Sequence, residues 1–185
     1  AKNFDIISVF IYSNVTREIA SKLNAKAIIT RSTGFNHIDI KACNERGIKV
    51  YNVPRYGSST VAEYAFALLL NLSRKIIQAN RRAKKLDFNL EGLEGSEMKG
   101  KTIGIVGLGE IGKCVAEIAK GFGMKIIVFT RTKDMKLAKK LGFRYVDYNT
   151  LLRNSDVITF HVPLTSETTH MLNQKNIGMI KKGAI

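Results

Sequence analysis

The sequence predicts an α/β protein built from parallel sheets in two successive units. Three observations carry that prediction. Short apolar runs alternate with helical patterns from Phe4 to Tyr51, a glycine-rich turn joins a strand to a helix between Lys101 and Arg131, and the same alternation resumes from Met135. Strands that alternate with helices pair in parallel, because each crossover helix returns the chain to the same edge.

In the first unit, Phe4 to Ile11 reads as a strand and Asn14 to Leu23 as an amphipathic helix. Ala27 to Thr30 reads as a second strand, running into the polar turn Arg31-Ser32-Thr33-Gly34-Phe35-Asn36 at its carboxyl end. Ligands of open α/β sheets bind outside such ends. Ile38 to Arg46 is a helix capped by Gly47, Lys49 to Tyr51 a strand, and Asn52 to Ser58 a loop. One long helix is predicted over residues 60–85, with an almost wholly apolar first half from Val61 to Leu70. A helix apolar all round must be buried on every side, by a second domain, a partner subunit or its own core. Leu86 to Lys99, with Gly92 and Gly95, reads as a loop into the second domain.

The central stretch is Thr102–Val106 as a strand, then Gly107-Leu108-Gly109-Glu110-Ile111-Gly112, a helix to Phe122, and a strand over Lys125–Phe129. That order gives GxGxxG the context a dinucleotide fingerprint requires. Gly107 lets the chain turn tightly, Gly109 lets backbone N–H groups approach a pyrophosphate, and Gly112 lets helix and strand pack closely. The helix start adds donors and positive dipole. The alternative is a glycine-rich turn that binds nothing. Beyond it, Met135–Leu141 is a helix, Phe143–Val146 a strand, Tyr148–Arg153 a helix, Asp156–Phe160 a strand and Lys175–Ile180 a short helix. Gly183-Ala184-Ile185 starts a further strand, and one more strand–helix unit is expected ahead of Phe4, so the chain reads as truncated at both ends.

Composition narrows the function classes. No apolar run approaches the roughly 18–20 residues a membrane helix needs, and the opening Ala1-Lys2-Asn3 is too polar for a signal peptide. Cys43 and Cys114 lack metal-ligand or CxxC spacing, which suits reduced thiols in a cytoplasmic protein and indicates no metal site. The net charge of +15, with clusters at 81–85 and 133–140, admits nucleic acid as a partner. No aromatic-interleaved basic motif accompanies it, so a cationic enzyme surface is the preferred reading.

Four ordered motifs make the chain similar to a known family: RSTGFNHIDI at 31–40, NVPRYGSSTVAEYAFALLLNLSRK at 52–75, GLGEIG at 107–112 and HVPLTSETTHMLN at 161–173. They resemble the D-isomer-specific 2-hydroxyacid dehydrogenases over the whole length of the chain. The loop carrying Tyr56 is most similar to the branch of D-lactate dehydrogenases and related 2-ketoacid reductases. The resemblance implies two Rossmann/flavodoxin-like parallel-sheet domains, both incomplete in this chain. A substrate-binding domain would cover 1–90 and a dinucleotide-binding domain 91–185, hinged about the substrate. The helix at 60–85 would be the interface arm of a homodimer.

Carried over by motif, the resemblance makes Thr33 and Gly34 backbone donors to the carboxylate of a small 2-ketoacid or 2-hydroxyacid, and Tyr56 a substrate-side aromatic. Glu110 and Ile111 would lie beside the cofactor pyrophosphate, with Val162, Pro163 and Thr168 flanking the adenosine half. Two positions depart from the common pattern. The acidic residue that normally ends the second strand and binds the ribose 2′-hydroxyl is replaced by Thr130-Arg131, with Lys133 nearby. A guanidinium suits a 2′-phosphate, so the cofactor is NAD or NADP with the balance tipped slightly to NADP. The family's catalytic Arg, Glu and His match nothing here and are expected beyond residue 185. His37, His161 and His170 read as structural or cofactor-adjacent.

The expected function is hydride transfer between a nicotinamide cofactor and C2 of a lactate/pyruvate-like acid. The alternatives are a nucleotide-sensing binding protein on the same fold, similar to C-terminal-binding transcriptional corepressors, and a fragment that binds cofactor and does nothing else.

Overall fold

The computed structural model describes residues 4–185, so the polar opening Ala1–Asn3 and the inference drawn from it lie outside the described residues. The chain divides into two compact units, Ala1–Gly57 and Ser58–Ile185.

The first unit is a three-stranded parallel sheet in the order β1 (Ile6–Val9), β2 (Ala27–Thr30), β3 (Lys49–Tyr51). Register pairs Ile6 with Ala27 and Ala27 with Lys49. Its helices are short and capped by residues whose side-chain oxygens accept a first-turn N–H. Thr16 Oγ1 takes Ile19 N at 3.3 Å for α1 (Arg17–Lys22), and Asp39 Oδ1 takes Ala42 N at 2.8 Å for α2 (Ile40–Glu45). Arg17 bridges the two helices through Glu45 at 2.6 Å. Val9, Ala20, Ile28, Ala42, Cys43 and Ile48 form the core between helices and sheet.

The second unit opens with two helices where the apolar periodicity predicts one. α3 (Ser58–Ser73) and α4 (Ile76–Ala83) are separated at Lys75, which adopts φ +51°. The cause is tertiary. Ser73 O accepts Ser96 N at 2.9 Å, and the Asn71 side-chain oxygen accepts Ile77 N at 3.2 Å. Those bonds redirect the backbone where propensity alone would continue the helix. The all-round burial expected of this helix is not found in the chain by itself. Ala62, Phe66 and Leu69 enter the core, whereas Val61, Tyr64, Leu68 and Leu72 are 45–66% exposed. Because α3 packs on the sheet's helical layer, the helix that the sequence groups with residues 1–90 lies in the second compact unit.

That unit's sheet is parallel and ordered β6 (Arg144–Tyr145), β5 (Lys125–Phe129), β4 (Thr102–Val106), β7 (Val157–Phe160). The chain leaves β4 through α5 (Glu110–Gly121) to β5 and returns through α6 (Met135–Leu141) and α7 (Tyr148–Asn154) to β7 on the other side. The strand sequence reverses direction beside β4, which opens a crevice at the carboxyl ends of β4 and β7. Both sheet faces are covered, so the strands read as continuous apolar runs. Ile103, Ile105, Ile126 and Val128 face α3, α5 and α6, while Val106 and Ile127 meet Leu151 and Leu152 of α7. Each fully buried branched side chain contributes about 1.5–3 kcal/mol. Gly104 allows α7 its close approach, since a Cβ there would stand 2.2 Å from Ser155 Oγ. Ile185 joins β7 by backbone bonds to Asp156 and Ile158, as a further parallel strand would.

Candidate functional site

The fingerprint glycines occupy the β4–α5 turn and differ in what holds them there. Gly107 has φ +93°, and a Cβ on it would lie 2.5 Å from the His161 carbonyl. A Cβ on Gly112 would lie 2.2 Å from the Gly107 carbonyl. Both are therefore required by the fold. Gly109 is different: its φ is −73°, and a Cβ there would meet nothing within 4 Å. Its lack of a side chain leaves open space at the helix start. No side chain caps α5, whereas Asp134 and Asp147 cap α6 and α7.

That open space belongs to a cleft in the second unit, over the carboxyl ends of β4, β5 and β7. Of the residues singled out in the sequence, Gly107, Gly109, Thr130, Arg131, Val162, Pro163 and Thr168 line it. Glu110 and Ile111 stand on the first turn of α5, beside the wall, and Glu110 pairs with Lys113 at 3.1 Å. Lys133 is turned onto the Tyr145 ring, 5.9 Å from its centroid, and is not part of the lining. The wall also holds Leu108, Phe129, Thr132, His161, Thr165, Glu167 and Met171. The periodicity of the sequence carries no signal for most of these, because they come from loops whose path is set by side-chain bonds. Thr168 is such a case: its hydroxyl donates to Pro163 O and accepts Thr165 N at 2.8 Å. It shapes the loop that presents Val162 and Pro163.

His161 is fixed by its own N–H on Val106 O at 2.7 Å and by a 2.8 Å contact of Nε2 with Thr159 Oγ1. Burial pushes its imidazole pKa down, so the neutral ring is favoured there. Arg131 lies across the cleft mouth from Glu167, at 3.8 Å, with both side chains mostly exposed. Arg131 thus has a carboxylate beside it that the residues flanking β5 do not reveal.

The first unit gathers a second set of polar groups at the carboxyl end of β2. The carbonyls of residues 32–34 are all engaged: Ser32 O accepts Val53 N at 3.1 Å, Thr33 O accepts Asn52 Nδ2 at 2.8 Å, and Gly34 O accepts Ser32 Oγ at 2.7 Å. Thr30, buried at the strand end, contacts Ser32 Oγ at 2.7 Å and His37 Nε2 at 3.2 Å. His37 therefore braces the turn. The N–H groups of Thr33 and Gly34 have no acceptor among the described residues, and a Cβ on Gly34 would meet nothing within 4 Å. Tyr56 is 64% exposed, next to Arg55 at φ +66°, and its hydroxyl has no bond among the described residues.

Residues 66–185 match the profile of the D-isomer specific 2-hydroxyacid dehydrogenase, NAD binding domain. The chain belongs to this family of dehydrogenases. Across 188 residues it is 38% identical to D-lactate dehydrogenase of Escherichia coli, covering 100% of this chain and 57% of that protein. The structure of D-lactate dehydrogenase from Aquifex aeolicus, complexed with NAD and lactic acid, superposes with a TM-score of 0.90 at 40% identity. That match covers 97% of this chain and 54% of the other. An acyclic imino acid reductase in complex with NADPH and D-Arg superposes with a TM-score of 0.85 at 35% identity, over 96% of this chain and 57% of that one. The chain thus spans little more than half the length of these relatives. Among the described residues no group of three or more His, Cys, Asp or Glu could hold a metal ion, and no helix is long and apolar enough to cross a membrane.

Proposed function

We propose that the protein is a nicotinamide-dependent oxidoreductase, in which the cleft of the second unit holds the cofactor and the 33–34 turn of the first unit holds the carboxylate of a small 2-ketoacid or D-2-hydroxyacid. The observation that carries this reading is the open space at Gly109, at the start of a helix with no side-chain cap and in the family's NAD-binding domain. Helix-start N–H groups and the helix dipole suit a pyrophosphate, and the Val162–Pro163 surface suits a flat adenine ring. When bound, the cofactor supplies or accepts the hydride. The residues of this chain bind and orient: Gly107, Gly109, Glu110, Ile111 and Gly112 at the pyrophosphate, Thr130 and Arg131 at the adenosine ribose. Thr33 and Gly34 offer backbone N–H donors whose neighbouring carbonyls are tied back, the arrangement an anion requires. Tyr56 is placed on the substrate side. The carbonyl-polarising cation and the proton donor are assigned to none of the described residues.

NAD(H) is the form supported by the family match and by the Aquifex complex with NAD. The preference for NADP(H) inferred from Arg131 in the sequence loses its force, because Glu167 shares that guanidinium. Thr130 brings no carboxylate to repel a 2′-phosphate, so NADP(H) is admitted as the second form. The full-length protein is expected to oxidise NADH when given pyruvate, more slowly with NADPH. Arg131→Ala is expected to weaken NADPH binding about tenfold, the loss of one charge-assisted contact of roughly 1.4 kcal/mol, and to leave NADH nearly unchanged. Dinucleotide binding with no turnover of any 2-ketoacid would favour the nucleotide-sensing reading instead.

A homodimer through α3 accompanies this proposal. Val61, Leu68 and Leu72, with Ile76 and Ile77 beyond them, leave an exposed apolar stripe of a kind that marks protein–protein contacts. Sedimentation of the full-length protein is expected to show a dimer, and Leu68→Lys with Leu72→Lys to shift it to monomer. A monomeric wild type would remove the stripe's assignment.

A further inference from the structure

The lining of the cleft holds a charge pair with no structural task. Among the described residues that line it, Glu167 is the one carboxylate and Arg131 the one guanidinium, and no lysine joins them. The remaining titratable side chain, His161, is kept neutral by burial. Arg131 Nη1 stands 3.8 Å from Glu167 Oε2, beyond hydrogen-bond length, with side chains 89% and 77% exposed. A pair so loose and so wet holds nothing together, since exposed ion pairs are worth little. It is well suited to exchange. It also spans the strand end where a dinucleotide fold places its ribose-reading acid, here replaced by Thr130.

We propose that Glu167 is a specificity-determining residue, which sets the cofactor's phosphorylation state by competing with the 2′-substituent for Arg131. The inference rests on the reading that this cleft binds a nicotinamide dinucleotide. With a 2′-hydroxyl, Glu167 keeps its place beside Arg131, and one of its oxygens accepts a hydrogen bond from the hydroxyl. With a 2′-phosphate, the dianion takes the guanidinium bidentately. Glu167 is then left next to a like charge and must swing away into water. The loop that carries it permits this, because its shape is held by Thr165, Thr168 and Thr169 and not by Glu167.

The test is direct titration of NADH and NADPH into the wild-type chain, E167Q, R131A and the double variant. Glutamine keeps the size of the side chain and removes its charge. The ratio of NADPH to NADH affinity is expected to rise about fivefold in E167Q, the scale of one exposed charge pair. In the R131A background the same change should raise the ratio by less, because the competition for the guanidinium is gone and only the direct contact of Glu167 with the 2′-substituent remains. A purely structural role for Glu167 would weaken both cofactors alike and leave the ratio unmoved, which overturns the proposal. So does an equal rise in the R131A background. Wild type that binds neither dinucleotide removes both this inference and the reading beneath it, whereas wild type that binds both with an unchanged E167Q ratio removes this inference alone.

Discussion

Gly112→Ala is expected to destabilise the second unit by about 2 kcal/mol. Two opposing effects set that figure. Alanine is the better helix former by about 1 kcal/mol, and α5 would gain it. Against this, the new Cβ would lie 2.2 Å from the Gly107 carbonyl oxygen and 3.2 Å from its carbon. Those are backbone atoms of the β4–α5 turn, so no side chain can rotate out of the way. Overpacking of this kind costs about 1–3 kcal/mol, and with a rigid neighbour the upper end applies. The clash wins. Thermal unfolding, followed by circular dichroism on the wild type and variant, should show the midpoint fall by about 4–8 °C. A variant as stable as wild type would mean that the turn can relax and that helix–strand contact does not require this glycine.

Gly109→Ala is expected to do the opposite: little to the fold and nearly everything to binding. The residue has φ −73° and ψ −166°, which alanine adopts without strain, and its Cβ would have no neighbour within 4 Å. The N-cap position loses some preference on this change, a cost of about 0.5 kcal/mol. In the proposed complex the pyrophosphate fills that same space. A methyl group there pushes the phosphates off the helix-start N–H groups, losing contact and charge-assisted bonding together, so dinucleotide affinity should fall on the order of 100-fold. Calorimetric titration of NADH, with a melting curve on the same sample, reads both quantities. Equal loss of stability in the two glycine variants would show that Gly109 is structural, and the fit argument for the cofactor would go with it.

Much of this fold was legible before the structure because the deciding forces are local. Ala27–Thr30, Lys49–Tyr51 and Lys125–Phe129 are apolar runs bounded by turn residues, and the strands form where those runs lie. Met135–Leu141 follows Asp134 and precedes Gly142, a cap at each end, and the helix has those bounds. What stayed hidden was set at long range. Nothing in Ser73-Arg74-Lys75 announces a break, since the bonds that turn the chain come from Ser96 and Asn71. The exposed stripe on α3 was equally hidden, because Val61, Leu68 and Leu72 are as apolar as the buried Phe66 and Leu69.

The site divides in the same way. Gly107 and Gly112 are legible because backbone geometry limits which residues can stand there, whereas Gly34 and Gly109 would each accept a Cβ without contact and stand out only through the motifs around them. The bracing of the 33–34 turn by Thr30, Ser32, His37 and Asn52 could not be read, as it pairs a strand end with residues from two other segments. Glu167 opposite Arg131 is a further instance. The sequence shows that a carboxylate is missing after β5. Only the path of the 161–170 loop shows where another one is provided.

The measurement that tests the central claim most directly is titration of NADH into the uniformly 15N-labelled chain, followed by amide shifts. The account predicts saturable binding, with the largest shifts at Gly107–Gly112, Thr130–Arg131 and Val162–Thr168, and none in the core of the first unit. Binding that leaves those amides unmoved, or no binding to a chain shown to be folded, would contradict it.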